Sequence, residues 1–280
     1  CPVKALQKTP EGPVIYEESR CIGCRYCMLA CPFGIPTYEW GEAHPKVQKC
    51  IFCYPRVEAG LTTLCAHSCV GRIRYVGLLL YDADRISEAA SAASDQAVYP
   101  AHMNILLDPH DPAVQTAAAA AGLADNVIDA ALRSPVYQLI KAWKLALPLH
   151  PEFRTLPMVW YIPPLSPVAE HTNSKDLDTL IDSLRIPITY LANLLSAGDE
   201  KPVRLALKRL AAVRQYMRSV RVEESVDAEV LDTIGLTVEA AQAIYRLLAI
   251  AKYDERFVVP TLSRIDGEGL YTDQGRCGFK

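Results

Sequence analysis

Residues 21–32 read CIGCRYCMLACP, in which four cysteines are separated by two, two and three residues and the last is followed by proline. This spacing is the ligand pattern of bacterial iron–sulfur clusters, in which three thiolates hold one cluster and the fourth cysteine serves its neighbour. Two-residue gaps place three thiolates around one small loop, so a single loop can hold three corners of a cubane. We therefore expect Cys21, Cys24 and Cys27 to share a four-iron cluster and Cys31 to ligate a second.

A second group of four cysteines has the same order with an insertion between its second and third members. It begins with Cys50-Ile-Phe-Cys53 and continues, after eleven residues, with Cys65-Ala-His-Ser-Cys69. Because such groups work in pairs, this second group strengthens the iron–sulfur interpretation. The alternative is a structural zinc-binding interaction module. Zinc sites usually contain two separated C-x2-C pairs, so this spacing favours iron–sulfur clusters over zinc. We expect His67 to face solvent from a loop, the alternative being a hydrogen bond to a cluster sulfur.

Cys1-Pro2 has the cysteine–proline ending of a further group, and two pairings of the ligands remain open. In the preferred pairing, Cys1 completes a cluster with the first three cysteines of the first group. The other cysteines then form partial ligand sets of further clusters: Cys31, Cys50, Cys53, Cys65 and Cys69. Their missing partners would lie upstream, so this pairing predicts an N-terminally truncated chain. In the alternative, Cys69 completes the first cluster, Cys31 completes the second, and Cys1 is left out.

The distribution of cysteines along the chain predicts two regions of different character. Nine of the ten cysteines lie within the first 69 residues, where proline and glycine interrupt short apolar runs. Structure there would depend on bound metal more than on periodic apolar faces. Helical patterns dominate afterwards, apart from a proline-rich strap at 148–167 with six prolines. The predicted fold class is α+β, with a ferredoxin-like 4Fe-4S module of short hairpins and helical turns over 1–75 and a mainly helical region over 76–280.

Composition and motifs exclude several classes of function. A formal net charge of −3 from 29 basic and 32 acidic residues does not predict nucleic-acid binding. The apolar runs are far shorter than the roughly 20 residues that a membrane crossing needs. The sequence presents neither a recognisable nucleophile with its acid–base partner nor a glycine-rich phosphate loop. We therefore expect electron transfer without catalytic residues.

Longer stretches outside the cysteine spacing point to one protein family. They include CIFCYPRVEAG at 50–60, CVGRIRY at 69–75, LALPLHPE at 145–152, RTLPMVWY at 154–161, YLANLL at 190–195 and RFVVP at 256–260. Through these stretches the sequence resembles the beta (iron–sulfur) subunits of membrane-bound respiratory nitrate reductases. The resemblance covers roughly residues 49–260, well beyond the cysteine motif.

The resemblance implies a non-catalytic electron-transfer subunit with four clusters in two ferredoxin-like modules, wrapped by a helical C-terminal region. Electrons would pass from a quinol-oxidising cytochrome b gamma subunit to a molybdopterin catalytic alpha subunit that reduces nitrate in anaerobic respiration. The implied location is peripheral at the cell membrane, on the cytoplasmic side, through a partner subunit. The alternatives are the related beta subunits of chlorate and selenate reductases and of ethylbenzene and dimethyl sulfide dehydrogenases, or a free-standing two-cluster ferredoxin.

One position departs from the family pattern. In well-known nitrate reductase beta subunits a tryptophan stands where this sequence has Cys24, and that cluster has three irons. Cys24 supplies a fourth thiolate, which predicts a 4Fe-4S cluster, with a 3Fe-4S cluster as the alternative at this one site. Residues 21–40 are more similar to the iron–sulfur subunits of formate dehydrogenases and hydrogenases, which keeps the substrate of the catalytic partner open.

Overall fold

The computed structural model describes residues 1–9, 12–166, 176–223 and 226–261. The described residues divide into two compact units, one containing Cys1–Leu64 together with Pro260 and Thr261, and the other lying within Cys65–Val259. This boundary lies earlier than the change in composition at residue 75, because Cys65 and Cys69 belong by their contacts to the helical unit. Short hairpins beside many helices confirm the predicted α+β class.

The first unit consists of two small hairpins and short helical turns. Its elements are the strands Leu6–Lys8 (β1), Val14–Tyr16 (β2), Thr37–Tyr38 (β3) and Val47–Gln48 (β4), with the helices Tyr26–Ala30 (α1) and Tyr54–Glu58 (α2). Strand β1 pairs with β2, and β3 pairs with β4, both in antiparallel orientation. The pairing of β3 with β4 places Tyr38 opposite Val47.

The apolar core of this first unit is small. One cluster of buried residues joins the N-terminal segment, the first cysteine loop and the second hairpin through Ala5, Cys21, Tyr38 and Val47. Such a core buries too little apolar surface to outweigh the conformational entropy of ordering the loops around it. The stability of this unit must therefore come in large part from what its cysteines bind.

The second unit is built from helices. After residue 63 the chain forms Leu64–His67 (α3), Ile86–Ala90 (α4), Asp95–Ile105 (α5), Pro112–Ala120 (α6), Asp125–Arg133 (α7), Pro135–Tyr137 (α8), Leu177–Asp182 (α9), Ile188–Leu195 (α10), Glu200–Arg221 (α11), Glu229–Asp232 (α12), Val238–Tyr245 (α13) and Tyr253–Arg256 (α14). Side-chain caps begin several of them: Asp111 accepts from the Ala113 amide at 2.8 Å and Asp199 from the Lys201 amide at 3.0 Å. Such caps satisfy backbone amides that the first helical turn leaves without a partner.

Helix α11 is the centre of the helical core. Its apolar face includes Val203 and Leu207, both fully buried, and it packs against α9, α10, α12 and α13. Its basic side chains pair with α9, since Arg204 lies 2.8 Å from Asp182 and Lys208 lies 2.6 Å from Asp178. No helix in the described ranges is both long and apolar enough to cross a membrane.

The proline-rich strap crosses this core in a largely extended form. Its residues Trp160–Tyr161 form a strand (β6) that pairs with Arg74–Tyr75 (β5) in antiparallel orientation. Tyr161 also bridges to Leu147, and the Trp160 side chain is 2% exposed. The strap therefore holds the segment that follows Cys69 against the helical core. Its predicted end at residue 167 lies outside the described residues.

Candidate cluster-binding site

The first cysteine group lies on a loop that turns sharply before helix α1. Gly23 and Arg25 both have left-handed backbone conformations, with φ of 68° and 66°. A Cβ on Gly23 would lie 2.8 Å from the carbonyl oxygen of Pro45, so both the conformation and the close approach require glycine there. Cys21 is buried and Cys27 is half-buried within this turn. The loop thus folds tightly under the hairpin that carries Pro45.

That hairpin, β3–β4, places polar groups against two of the cysteine sulfurs. The Val47 amide donates to Cys21 Sγ at 3.5 Å, and the Tyr38 hydroxyl oxygen lies 3.2 Å from Cys27 Sγ. The Lys46 ammonium donates to the Cys21 carbonyl oxygen at 2.7 Å. Donors aimed at sulfur stabilise thiolate ligands and set the reduction potential of a cluster.

The remaining members of the first group are more accessible. Cys24 is exposed, and Cys31, at the end of α1, is half-buried. Cys1 is also exposed, but the segment that follows it enters the small core of this unit. In that core the partly buried Val3 and the buried Ala5 pack with Cys21.

The first half of the second group, Cys50 and Cys53, surrounds a second sharp turn. Phe52 and Cys53 have positive φ values of 61° and 48°, and the Phe52 amide donates to Cys50 Sγ at 3.3 Å. Lys49 donates to the Cys50 carbonyl oxygen at 2.6 Å. Burial lowers the pKa of Lys49, and the negative charges of Cys50 and Cys31 oppose that effect. Lys49 is therefore a cation within electrostatic reach of one cysteine from each group.

The second half of the group lies in the helical unit, with Cys65 on α3 and Cys69 just after it. The His67 imidazole is exposed and makes an edge contact with the Tyr253 ring, with centroids 4.8 Å apart. The Arg72 amide donates to the Cys69 carbonyl oxygen at 3.0 Å. This contact fixes the turn that carries Cys69.

Two arginines surround the same turn within the helical unit. Arg72 donates to the carbonyl oxygens of Leu248 and Ala251, each at 3.3 Å. Arg256 is 7% exposed, and its guanidinium lies 5.7 Å from the centroid of the Tyr75 ring. Burial raises the pKa of Tyr75, the charges of Arg256 and Arg72 lower it, and the charge of Cys69 raises it. Tyr75 is thus within electrostatic reach of Cys69 and of both arginines.

Several of these residues escaped the sequence analysis because they lie outside the cysteine motifs. They are Tyr38, Val47, Lys49, Arg72 and Arg256. A signal for Lys49 was present, since a cation directly before a ligand cysteine is electrostatically favourable. Tyr38 and Arg256 lack such a signal, because their positions depend on hairpin pairing and helix packing.

The donor set fits iron–sulfur chemistry. In the described part of the chain, none of the nine cysteines forms a disulfide, and no three His, Cys, Asp or Glu side chains, the predicted ligand cysteines included, lie close enough together to hold a metal. The sulfurs of Cys21 and Cys27 contact the Val47 amide and the Tyr38 hydroxyl of the hairpin, and the Cys50 sulfur accepts from the Phe52 amide within its own turn. Soft thiolates supported by such donors are the ligands that iron–sulfur clusters take.

Two sequence families match parts of the chain. Residues 1–79 match the family described as a 4Fe-4S dicluster domain, which confirms the prediction of 4Fe-4S clusters. Residues 165–238 match the family described as respiratory nitrate reductase beta C-terminal. The second match covers a part of the helical region in which the sequence has no cysteine. The two matches therefore support the resemblance independently.

Individual relatives extend over the whole chain. The sequence is 50% identical to the respiratory nitrate reductase 2 beta chain of Escherichia coli K12 and 46% identical to the nitrate reductase beta chain of Bacillus subtilis 168, in both cases over 100% of this chain. It spans only 55% and 58% of those relatives. It is 40% identical to the respiratory nitrate reductase beta chain of a Bradyrhizobium species, over 95% of this chain and 78% of that relative. Beta subunits named for dimethylsulfide dehydrogenase, chlorate reductase and selenate reductase match at 31–32% identity.

Proposed function

The chain belongs to the family of respiratory nitrate reductase beta chains, and from this premise we propose that it relays electrons through 4Fe-4S clusters to a molybdopterin catalytic subunit that reduces nitrate. The electrons would come from a quinol-oxidising cytochrome b subunit in the membrane. The observation that carries the proposal is the convergence of Val47 and Tyr38 on the sulfurs of Cys21 and Cys27. The higher identity to nitrate reductase chains favours nitrate over chlorate, selenate or dimethyl sulfide as the partner's substrate.

The cysteines would hold the clusters in the preferred pairing of the sequence analysis. Cys1, Cys21, Cys24 and Cys27 would hold one complete cluster. The others would contribute to further clusters, namely Cys31, Cys50, Cys53, Cys65 and Cys69. The packing of the segment after Cys1 into the core that contains Cys21 supports this pairing over the one that leaves Cys1 out.

When bound, each cluster takes up and releases one electron at a time without making or breaking a bond to substrate. The chain's own residues orient the ligands and adjust the charge around them. Val47 and Tyr38 stabilise thiolate sulfurs in the first unit, and Lys49 places a positive charge near Cys50 and Cys31. Arg256 and Arg72 place positive charges around Tyr75, which is within electrostatic reach of Cys69. Cations and hydrogen-bond donors favour the added negative charge of a reduced cluster.

We also propose that the protein is peripheral at the cytoplasmic side of the cell membrane, held there by its cytochrome partner. The names of its relatives, which are beta chains of respiratory nitrate reductases, support a multi-subunit enzyme. The exposed cysteine-bearing segments are suited to exchange electrons with neighbouring subunits, since Cys24 and Cys65 are both exposed.

The direct test follows the redox state of the clusters in the purified complex. We expect a quinol analogue to bleach their visible absorbance and nitrate to restore it, at a rate on the order of 10 per second, typical of enzyme turnover. Stopped-flow absorbance with buffer in place of nitrate is the control. Reoxidation by selenate and not by nitrate would assign the protein to the related reductases. Absence of any catalytic subunit in the isolated protein would favour the free-standing ferredoxin.

A second prediction concerns Cys24. Because Cys24 supplies the fourth thiolate, we expect the oxidised protein to lack the paramagnetic signal of a 3Fe-4S cluster at this site. Cys24→Trp removes that thiolate and should introduce the signal, at about one spin per chain. Low-temperature EPR of the oxidised complex measures it, and Ile22→Trp, at an exposed neighbouring position, is the matched control. A strong three-iron signal in the unaltered protein that ferrous iron does not convert would contradict the prediction.

A further inference from the structure

The hairpin β3–β4 joins the two cysteine groups in sequence and covers the first of them in space. Tyr38 and Val47 are directly opposite each other in its antiparallel pairing. One contributes a side-chain hydroxyl and the other a backbone amide, and they reach two different sulfurs, Cys27 Sγ and Cys21 Sγ. A single pair of facing residues therefore contacts two predicted ligands of one cluster. The amide is common to every residue type except proline, whereas the hydroxyl is specific to the residue at position 38.

The Tyr38 hydroxyl contacts the Cys27 sulfur from a buried position. The side chain is 6% exposed. When Cys27 is a thiolate ligand its sulfur carries no hydrogen, so the phenol must be the donor across the 3.2 Å contact.

The position of the Tyr38 ring is fixed by packing as well as by this hydrogen bond. The centroids of the Tyr38 and Trp40 rings lie 5.7 Å apart. Trp40 also contacts Arg25, whose guanidinium lies 4.5 Å from the Trp40 ring centroid. Val47, which belongs to the same buried cluster as Tyr38, is 2% exposed. These contacts involve the ring and not the hydroxyl, so phenylalanine can occupy the same place with only the oxygen removed.

From this geometry we infer that Tyr38 is a positioning residue that raises the reduction potential of the cluster held by Cys21, Cys24 and Cys27. On reduction one electron enters the cluster, no bond breaks, and negative charge on the ligand sulfurs increases. A hydrogen bond to a more negative acceptor is stronger, so the phenol stabilises the reduced state more than the oxidised state. The inference rests on the proposed function, because it requires a cluster at these cysteines.

The test compares Tyr38→Phe with the unaltered protein in the full-length chain purified with its native partners. We expect the iron and acid-labile sulfide content to stay the same. We expect the midpoint potential of one cluster, measured by EPR-monitored redox titration, to become more negative. The expected change is about tenfold in the one-electron equilibrium constant, which is 59 mV. Tyr26→Phe is the matched control, because Tyr26 precedes Cys27 directly but is 64% exposed, and its potentials should not change.

The outcomes separate the inference from the function on which it rests. Full cluster content with unchanged potentials in Tyr38→Phe overturns the inference and leaves the proposed function intact. Absence of iron and sulfide from the unaltered protein overturns the proposed function itself. If the Tyr38→Phe protein loses its cluster, a protein with 3-fluorotyrosine at position 38 is tested in place of that variant. This phenol is a stronger donor of the same shape, so the potential should become less negative, and an unchanged potential would again overturn the inference.

Discussion

Replacing Cys21 by alanine in the full-length protein is expected to remove one 4Fe-4S cluster and to interrupt electron flow from quinol to nitrate. Cys21 is the buried member of the first group and accepts the Val47 amide, so no neighbouring solvent-exposed group can readily take its place as a ligand. With four clusters in the intact subunit, as the resemblance implies, the loss is about a quarter of the bound iron. Iron and acid-labile sulfide assays measure it, and quinol-dependent nitrate reduction should fall to the level of the control without quinol.

Two further cysteine variants make this experiment selective. Cys277→Ala is the matched control, because Cys277 belongs to neither cysteine group in the sequence and lies outside the described residues. Its iron content should match that of the unaltered protein. Cys1→Ala decides between the two pairings: in the preferred pairing it weakens or removes the same cluster as Cys21→Ala, whereas in the alternative it changes nothing. Unaltered iron in Cys21→Ala would contradict the ligand assignment altogether.

Removing the clusters is expected to unfold the first unit while the helical unit keeps its structure. The first unit has one small core, centred on Ala5, Cys21, Tyr38 and Val47, whereas the helical unit has an extensive core around α11. Where a metal site forms only in the folded state, its binding free energy is folding free energy, on the order of 10 kcal/mol. Hydrogen exchange with mass spectrometry should therefore show lost protection in strands β1 to β4 after oxidation and chelation. Protection in α10, α11 and α13 should remain.

The control for this experiment is anaerobic reconstitution with ferrous iron and sulfide, which should restore protection in the hairpins together with the visible absorbance. Far-UV circular dichroism provides a second measure, since most of the helical signal comes from the second unit and should persist. Retained protection of Tyr38 and Val47 amides in the cluster-free protein would show that the first unit folds without metal, against the expectation from its small core.

The candidate ligands could be proposed from the sequence alone because they follow short local spacings. Gaps of two and three residues between Cys21, Cys24, Cys27 and Cys31 indicate an iron–sulfur cluster, whatever residues surround the cysteines. The long stretches shared with the beta-chain family similarly identified the helical region, and the comparisons with known beta chains confirmed that assignment. The pairing of the cysteines into clusters stays a prediction, since it joins positions far apart in the chain.

The division into units shows where composition alone is a poor guide. The change from cysteine-rich to helical sequence comes near residue 75, but the compact helical unit begins at Cys65. Arg72 hydrogen-bonds to Leu248 and Ala251, and strand β5 pairs with β6 in the proline-rich strap. These contacts join residues that are distant in sequence, so a change in local composition could not locate them.

By itself the amino-acid sequence determined the ligand type, the cluster chemistry, the α+β class and the family, because each depends on residue identity and short spacing. Only the tertiary structure decided which groups surround the sulfurs. Tyr38 reaches Cys27 because β3 pairs with β4 in the register that places it opposite Val47. A shift of one residue in that register would turn its side chain to the other face of the hairpin. The electrostatic environment of the cysteines therefore depends on strand pairing and helix packing, which no local pattern of residues specifies.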